Sequence, residues 1–257
     1  MLPLVIYHKN CMDGIGAAYA VWVHLGKPAY LEFLPASYND PIPDVTGRKI
    51  FIVDFSYPRQ QLEQLASHNE LMVIDHHKTA QYDLKCLSYA HFDMTRSGAG
   101  LAWDILNPDI PRPEIINYIE DRDLWKWELP NSREINDALF SRDLKPTELG
   151  NVDVKTLLIE GQAICRLKKK QLDMALGTTH MITIGDFNVP AISTCVNMSE
   201  TCEALLKAHP AAPFTVTYFI TPEGTKYSLR SDGRCDVSAI CKKYGGGGHA
   251  NAAGYIR

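Results

Sequence analysis

Three times in its first half the chain runs through a short apolar stretch and stops at an ionisable side chain. Leu2 to Tyr7 ends at His8, Ile50 to Val53 at Asp54, and Leu71 to Ile74 at Asp75-His76-His77. Short apolar runs with β-branched members read as strands buried on both faces, the pattern of a parallel sheet. Tyr30 to Pro35 adds a further strand. Between these runs the spacing turns helical. GAAYAVWVHLG is closed by Gly26 and Pro28, and Pro58 opens a helix from about Arg59 to His68. Strands alternating with helices specify an α/β, doubly wound parallel sheet. Such a sheet brings all three polar strand ends to one edge, the edge where open α/β folds bind ligands.

The residue types at that edge suit metal ligation or acid/base work, because imidazole and carboxylate serve both. Asp13, opening the first helix, reads either as its N-cap or as a member of the site. Arg96 and Ser97 begin a helix that runs to about Leu106, and they read equally as a phosphate contact or a cap. Asp121 and Asp123 lie in EIINYIEDRDLWKWEL. Acids beside an arginine more often make a solvated ion-pair face, yet three other candidate strand ends favour Asp121 as a ligand. Trp125, Trp127, Tyr227 and Tyr255 can stack bases or belong to the core.

From Val152 to about Leu176 apolar residues recur at helical spacing, interleaved with Arg166, Lys168, Lys169 and Lys170. This predicts a long amphipathic helix between two domains. The basic run reads as a solvated face or a nucleic-acid backbone contact. The expected division is 1–150, a linker helix over 151–179, and a smaller mixed α/β domain over 180–257. In the last, His180 onward reads as hairpins with helices near 202–209 and 237–244. The run Gly245 to Gly248 can present backbone N–H groups to an anion. His249, with Arg230, would complete a phosphate pocket.

The net charge of −4 argues against a generally basic nucleic-acid-coating protein, though not against a local basic cleft. Seven cysteines without CxxC spacing, and an opening unlike a secretory signal, fit reduced thiols in the cytoplasm. No apolar run approaches the length of a membrane span.

The set His8, Asp13, Asp54, Asp75-His76-His77, Asp121 and GGGGHANAAG resembles the DHH phosphoesterase family, in the subgroup with a C-terminal DHHA1 domain. RecJ-like exonucleases, nanoRNases, cyclic-dinucleotide phosphodiesterases and exopolyphosphatase-like proteins are of this kind. The resemblance implies two divalent ions, Mn2+ first and Mg2+ second, in the parallel domain, and a smaller domain holding substrate across a cleft. It implies metal ligation by His8, Asp13, Asp54, His76 and Asp121, with Asp54 bridging. Asp54, His77 and Asp75 would be the catalytic set. Arg230, Gly246, Gly247, Gly248 and His249 would contact substrate; Arg96 and Ser97 join them as substrate contacts on the reading of the residues alone. One slot departs from the family pattern: no acid stands at Asn10 to Met12, leaving Asn10, Cys11 or a water to fill it. The function expected on this resemblance is a 3′–5′ exonuclease on short single-stranded DNA or RNA, releasing nucleoside monophosphates, as a monomer or homodimer. A cyclic or linear dinucleotide phosphodiesterase, then a polyphosphate or nucleotide phosphatase, comes next. A non-catalytic nucleotide sensor comes last.

Overall fold

The computed structural model describes residues 2–38 and 40–257. It divides into two compact units, Met1–Cys165 and Arg166–Arg257. In the first, β1 (Leu4–His8), α1 (Met12–His24), β2 (Glu32–Ala36), β3 (Lys49–Val53), α2 (Arg59–Ala66) and β4 (Glu70–Asp75) follow the expected alternation. After them come α3 (Lys78–Leu84), β5 (Ala90–Phe92), α4 (Gly98–Leu106), α5 (Glu114–Asp123), α6 (Ser132–Phe140), a 3₁₀ segment over Pro146–Asn151, and α7 (Val154–Leu176). The sequence signals neither α3 nor β5. Both are short, and β5 is a sheet edge of three half-buried residues.

The strands lie in the order β2-β1-β3-β4-β5, and every neighbouring pair is parallel. The sheet is therefore the doubly wound one expected. Because β1 has β2 on one side and β3 on the other, the winding reverses between β1 and β3. A crevice opens outside the strand ends at such a point.

Both faces are covered, and the period of two along each strand decides what goes where. Leu4, Ile6, Ile50, Ile52, Leu71 and Val73 pack with Leu62 and Leu65 of α2 and Leu84 of α3. Val5, Phe51, Val53 and Ile74 pack with Ala17 of α1, Ala99 of α4, and Ile116 and Ile119 of α5. Each Val, Leu, Ile or Phe side chain so removed from water contributes about 1.5–3 kcal/mol. This burial fixes the strand registers and so fixes which polar residues stand at the strand ends.

The second unit contains β6 (His180–Ile184), β7 (Phe187–Ser193), α8 (Met198–Ala208), β8 (Thr215–Thr221), β9 (Gly224–Arg230), α9 (Val237–Lys242), β10 (Gly247–His249) and β11 (Ala252–Ile256). Its sheet runs β10-β11-β9-β8-β7-β6, antiparallel except for the β7–β8 pair. Val237, Ile240 and Cys241 of α9 pack against Val216, Leu229 and Ala253. The boundary between the units falls inside α7. Within the basic run, Lys168 pairs with Glu200 at 3.0 Å and Lys169 with Asp173 at 2.8 Å. Among the described residues no helix is long and apolar enough to cross a membrane.

Candidate metal centre

The ends of β1, β3 and β4 deliver His8, Asp54 and Asp75-His76-His77 to the switch point. Asp54 leaves β3 in the left-handed region, with φ +63°, while its N–H still donates to the Ile74 carbonyl at 3.0 Å. A side chain at positive φ costs about 1–2 kcal/mol, and such strain gathers at functional sites. The turn aims the buried Asp54 carboxylate across the sheet edge. There Oδ1 lies 3.2 Å from His76 Nε2 and Oδ2 lies 3.6 Å from His8 Nδ1.

Two glycines let helices approach this point. A Cβ at Gly14, in the first turn of α1, would run into the His8 carbonyl oxygen. A Cβ at Gly98, the first residue of α4, would lie 2.5 Å from Asp54 Oδ1 and 2.9 Å from its Cγ. With α4 so close, Asp13 of α1 reaches its N-terminus, accepting from Gly98 N–H at 2.6 Å and Ala99 N–H at 2.9 Å. Asp13 thus serves a helix N-terminus, but that of α4 rather than its own. The same carboxylate faces His76 Nε2 at 3.6 Å.

Three overlapping sets of candidate ligand atoms result, each with members within 4.8 Å of one another: His8, Cys11 and Asp54; Asp54, His76 and His77; Asp13, His76 and Asp123. Asp54 belongs to the first two and His76 to the last two, so the sets form one continuous band. The charges in the band are poorly balanced. Burial, then the charges of Asp54 and Asp123, pushes the Asp13 carboxyl well above its ordinary value. Burial, then Asp54, Asp13 and Asp123, does the same to the Cys11 thiol. Burial alone would raise Asp54, yet its contacts with His76 and His8 hold it well below the carboxylate range. His76 would be lowered by burial, but its bond to Asp54 and the charges of Asp13, Asp54 and Asp123 lift it to about 10.

Asp54 Oδ2 is buried and accepts no hydrogen bond among the described residues. An uncompensated buried carboxylate oxygen is costly, and a cation placed against it would remove both that cost and the mutual repulsion of the acids. The donor set therefore fits divalent ions. Oxygen and imidazole donors suit Mn2+ and Mg2+, and a Cys11 thiolate would add preference for a softer ion.

Several expected residues stand elsewhere. Asp121 was expected as a ligand, but its carboxylate turns away into the segment after α5, accepting from Glu128 N–H at 2.9 Å and Leu129 N–H at 3.4 Å. Asp123, two residues on, comes within 3.6 Å of His76 Nε2 instead. Residues two apart on a helix point to nearly opposite sides. Ile116, Ile119 and Asp123 share one stripe, and Ile116 and Ile119 are the α5 side chains nearest Gly16 of α1. That stripe was the available sequence signal for Asp123.

Arg96 and Ser97, expected at the substrate, are tied to the helices instead. Arg96 pairs with Asp104 at 2.5 Å and with Glu120 at 3.1 Å. Ser97 is fully buried and caps α4, accepting from Gly100 N–H at 3.1 Å. Asp75 lies behind the band rather than in it. Its Oδ1 accepts from His76 N–H, His77 N–H and His77 Nδ1, the last at 2.7 Å, and its Oδ2 accepts from Ser56 Oγ at 2.6 Å. It orients both histidines. Of the slot left open in the first motif, Cys11 is the member brought to His8 and Asp54. Asn10 takes the left-handed φ of +57° that turns the chain there.

In the second unit the glycine run is drawn into an edge strand, β10, with His249 opposite Ala252 of β11. Ala252 in turn stands opposite Arg230 of β9, so Arg230 and His249 share one row of the sheet. The Arg230 guanidinium donates to Leu229 O at 2.9 Å and to Ser199 Oγ at 2.8 Å. Burial holds its pKa below the ordinary arginine value. Of the aromatic candidates, Tyr227 and Tyr255 stack on each other at 4.8 Å, and Trp127 lies under Arg133 at 4.3 Å. Trp125 remains 37% exposed.

Tyr38 was not anticipated. Its ring lies beside those of His8, Phe55 and His77 at the mouth of the band.

Comparison with known proteins gives a consistent picture. Residues 4–141 match the family described as "DHH family, N-terminal domain". The chain is 28% identical to the uncharacterized protein R106 of Acanthamoeba polyphaga mimivirus, over 98% of this chain and 67% of that protein. It is 22% identical to the oligoribonuclease NrnB of Bacillus subtilis (strain 168), over 97% of this chain and 71% of NrnB. In fold it resembles RecJ of Thermus thermophilus, solved in complex with Mn2+. The TM-score is 0.58 at 14% identity, over 99% of this chain and 49% of RecJ.

Proposed function

Since the chain belongs to the DHH family of metal-dependent phosphoesterases, we propose that it degrades short single-stranded oligonucleotides from the 3′ end, releasing nucleoside monophosphates. One observation carries the reading: three candidate ligand sets are linked, the first two through Asp54 and the last two through His76, into a single band at the switch point of the sheet. The ligands in this proposal are His8, Cys11, Asp13, Asp54, His76 and Asp123, with Mn2+ as the preferred ion. Two divalent ions in such a band would neutralise phosphoryl oxygens and make water acidic enough to supply a nucleophile near pH 7.

The chain's own groups prepare that chemistry. Asp54 stays ionised because His76 and His8 hold it so. Burial would lower His77, but the Asp75 hydrogen bond outweighs it and raises the imidazole, so His77 can carry a proton to a departing alkoxide. Asp75, itself anchored by Ser56, keeps that ring in place. In the second unit, the Arg230 guanidinium donates to Leu229 O and Ser199 Oγ, and we assign it, with Gly246, Gly247, Gly248 and His249, to gripping substrate phosphate. The oligoribonuclease name of NrnB supports a short substrate. Seven cysteines with no disulfide between them support a reducing, cytoplasmic setting.

The test is a panel of 5′-labelled ribo- and deoxyribo-oligonucleotides incubated with Mn2+. A ladder shortening from the 3′ end, with mononucleotide product and loss of activity on chelation, is expected. Absence of chelator-sensitive cleavage, or cleavage restricted to polyphosphate or dinucleotides, would refute the substrate assignment.

A further inference from the structure

Tyr38 has no part in the ligand band, yet the fold holds it there. Its ring centroid lies 5.5 Å from that of His8, 5.9 Å from His77 and 6.2 Å from Phe55, each in edge-on geometry. The residue is nevertheless 44% exposed, so it faces both the band and the solvent. Its hydroxyl makes no hydrogen bond with another described residue.

The backbone beneath it is fastened. Asp40 N–H donates to Ser37 O at 2.9 Å, closing a turn that contains Tyr38. Asp40 Oδ2 accepts from Ser37 N–H at 3.0 Å and from Lys9 Nζ at 2.8 Å. Lys9 N–H donates to Ala36 O at 2.9 Å. Lys9 directly follows His8, so the turn is clasped to the end of β1. A stiff aromatic side chain with an uncommitted hydroxyl loses little conformational entropy when it meets a ligand. Being neutral, a phenol donor tolerates the acids of the band as well as a phosphoryl group placed against it.

We infer that Tyr38 contacts substrate, its O–H donating a hydrogen bond to the phosphoryl group seated against His8, Asp54 and His77. This rests on the phosphoesterase reading above. It adds a positioning contact that the sequence does not single out.

The test compares wild type, Tyr38→Phe and Asp40→Ala in the full chain loaded with Mn2+, titrated calorimetrically with adenosine or uridine 5′-monophosphate. Tyr38→Phe keeps the ring and removes only the hydroxyl. A hydrogen bond to a charged group corresponds to an expected weakening of about 10–100-fold. The loss is expected to be equal for both nucleotides, with unchanged melting temperature and unchanged Mn2+-induced stabilisation. Asp40→Ala, which releases the turn, is expected to weaken binding in the same direction. Wild-type affinity in Tyr38→Phe overturns the inference. So does a loss confined to one base, which would mean a base contact, or a loss of the Mn2+-induced stabilisation. Failure of the wild type to bind either nucleotide sinks the proposed oligonucleotide reading on which the inference rests, and the two failures are thus told apart.

Discussion

The sharpest test of the metal centre sets Asp123→Asn against Asp121→Asn, two substitutions two residues apart on α5. Asp121 is buried and accepts from two backbone N–H groups beyond the helix. The amide can keep one of these bonds at best. Losing a hydrogen bond to a charged group costs about 1.5–3 kcal/mol. At about 2–4 °C per kcal/mol for a unit of this size, Asp121→Asn should lower the melting temperature by about 3–12 °C. Asp123 is partly exposed and approaches His76 only at 3.6 Å, so its substitution should cost no more than about 1 kcal/mol.

The metal response should run the other way. A ligand at 100 times its Kd stabilises by about 2.7 kcal/mol, or about 5–11 °C here. If Asp123→Asn weakens the ion about 100-fold, the same concentration leaves about 0.4 kcal/mol, close to 1 °C. Thermal melts with and without Mn2+ read both effects at once. A full metal response in Asp123→Asn, together with a lost one in Asp121→Asn, would refute the assignment of the two acids.

Three further outcomes follow from the same geometry. Asp75→Asn leaves one acceptor oxygen where Oδ1 serves two histidines and Oδ2 serves Ser56, and turnover should fall about 10–100-fold while Mn2+ still stabilises the protein; unchanged kcat would remove Asp75 from its orienting role. Gly98→Ala places a methyl group 2.5 Å from Asp54 Oδ1. It should cost about 1–3 kcal/mol and weaken Mn2+ binding, and calorimetry showing wild-type affinity would contradict the packing argument. The pH dependence follows from His76, whose folded value of about 10 lies above the ordinary 6.5. In metal-free protein its charged form stabilises the fold fully below pH 6.5, and that contribution is lost as pH rises toward 10. The melting temperature should fall over that window, and His76→Gln should flatten the slope. An equal slope in the variant would exclude His76 as its source.

The sequence by itself determined the sheet and its polar edge. Apolar runs ending at His8, Asp54 and Asp75 could be buried on both faces only in a parallel α/β layer, and parallel strands bring those ends together without further instruction. Helix phase and close approach were decided by tertiary structure. The helical stripe shared with Ile116 and Ile119 sets Asp123 apart from Asp121, but what that stripe meets is decided only when α5 packs on α1 and turns Asp121 into the loop and Asp123 to His76. Arg96 and Ser97 read equally as a phosphate contact or a cap until Glu120 and Asp104 engage Arg96 and Ser97 caps α4. The placement of Cys11 depends on the β1–α1 turn at Asn10, and that of Tyr38 on the Lys9–Asp40 clasp. Periodicity reports which face of an element is apolar. Which neighbour that face meets, and so where each polar side chain points, is fixed only when the elements pack.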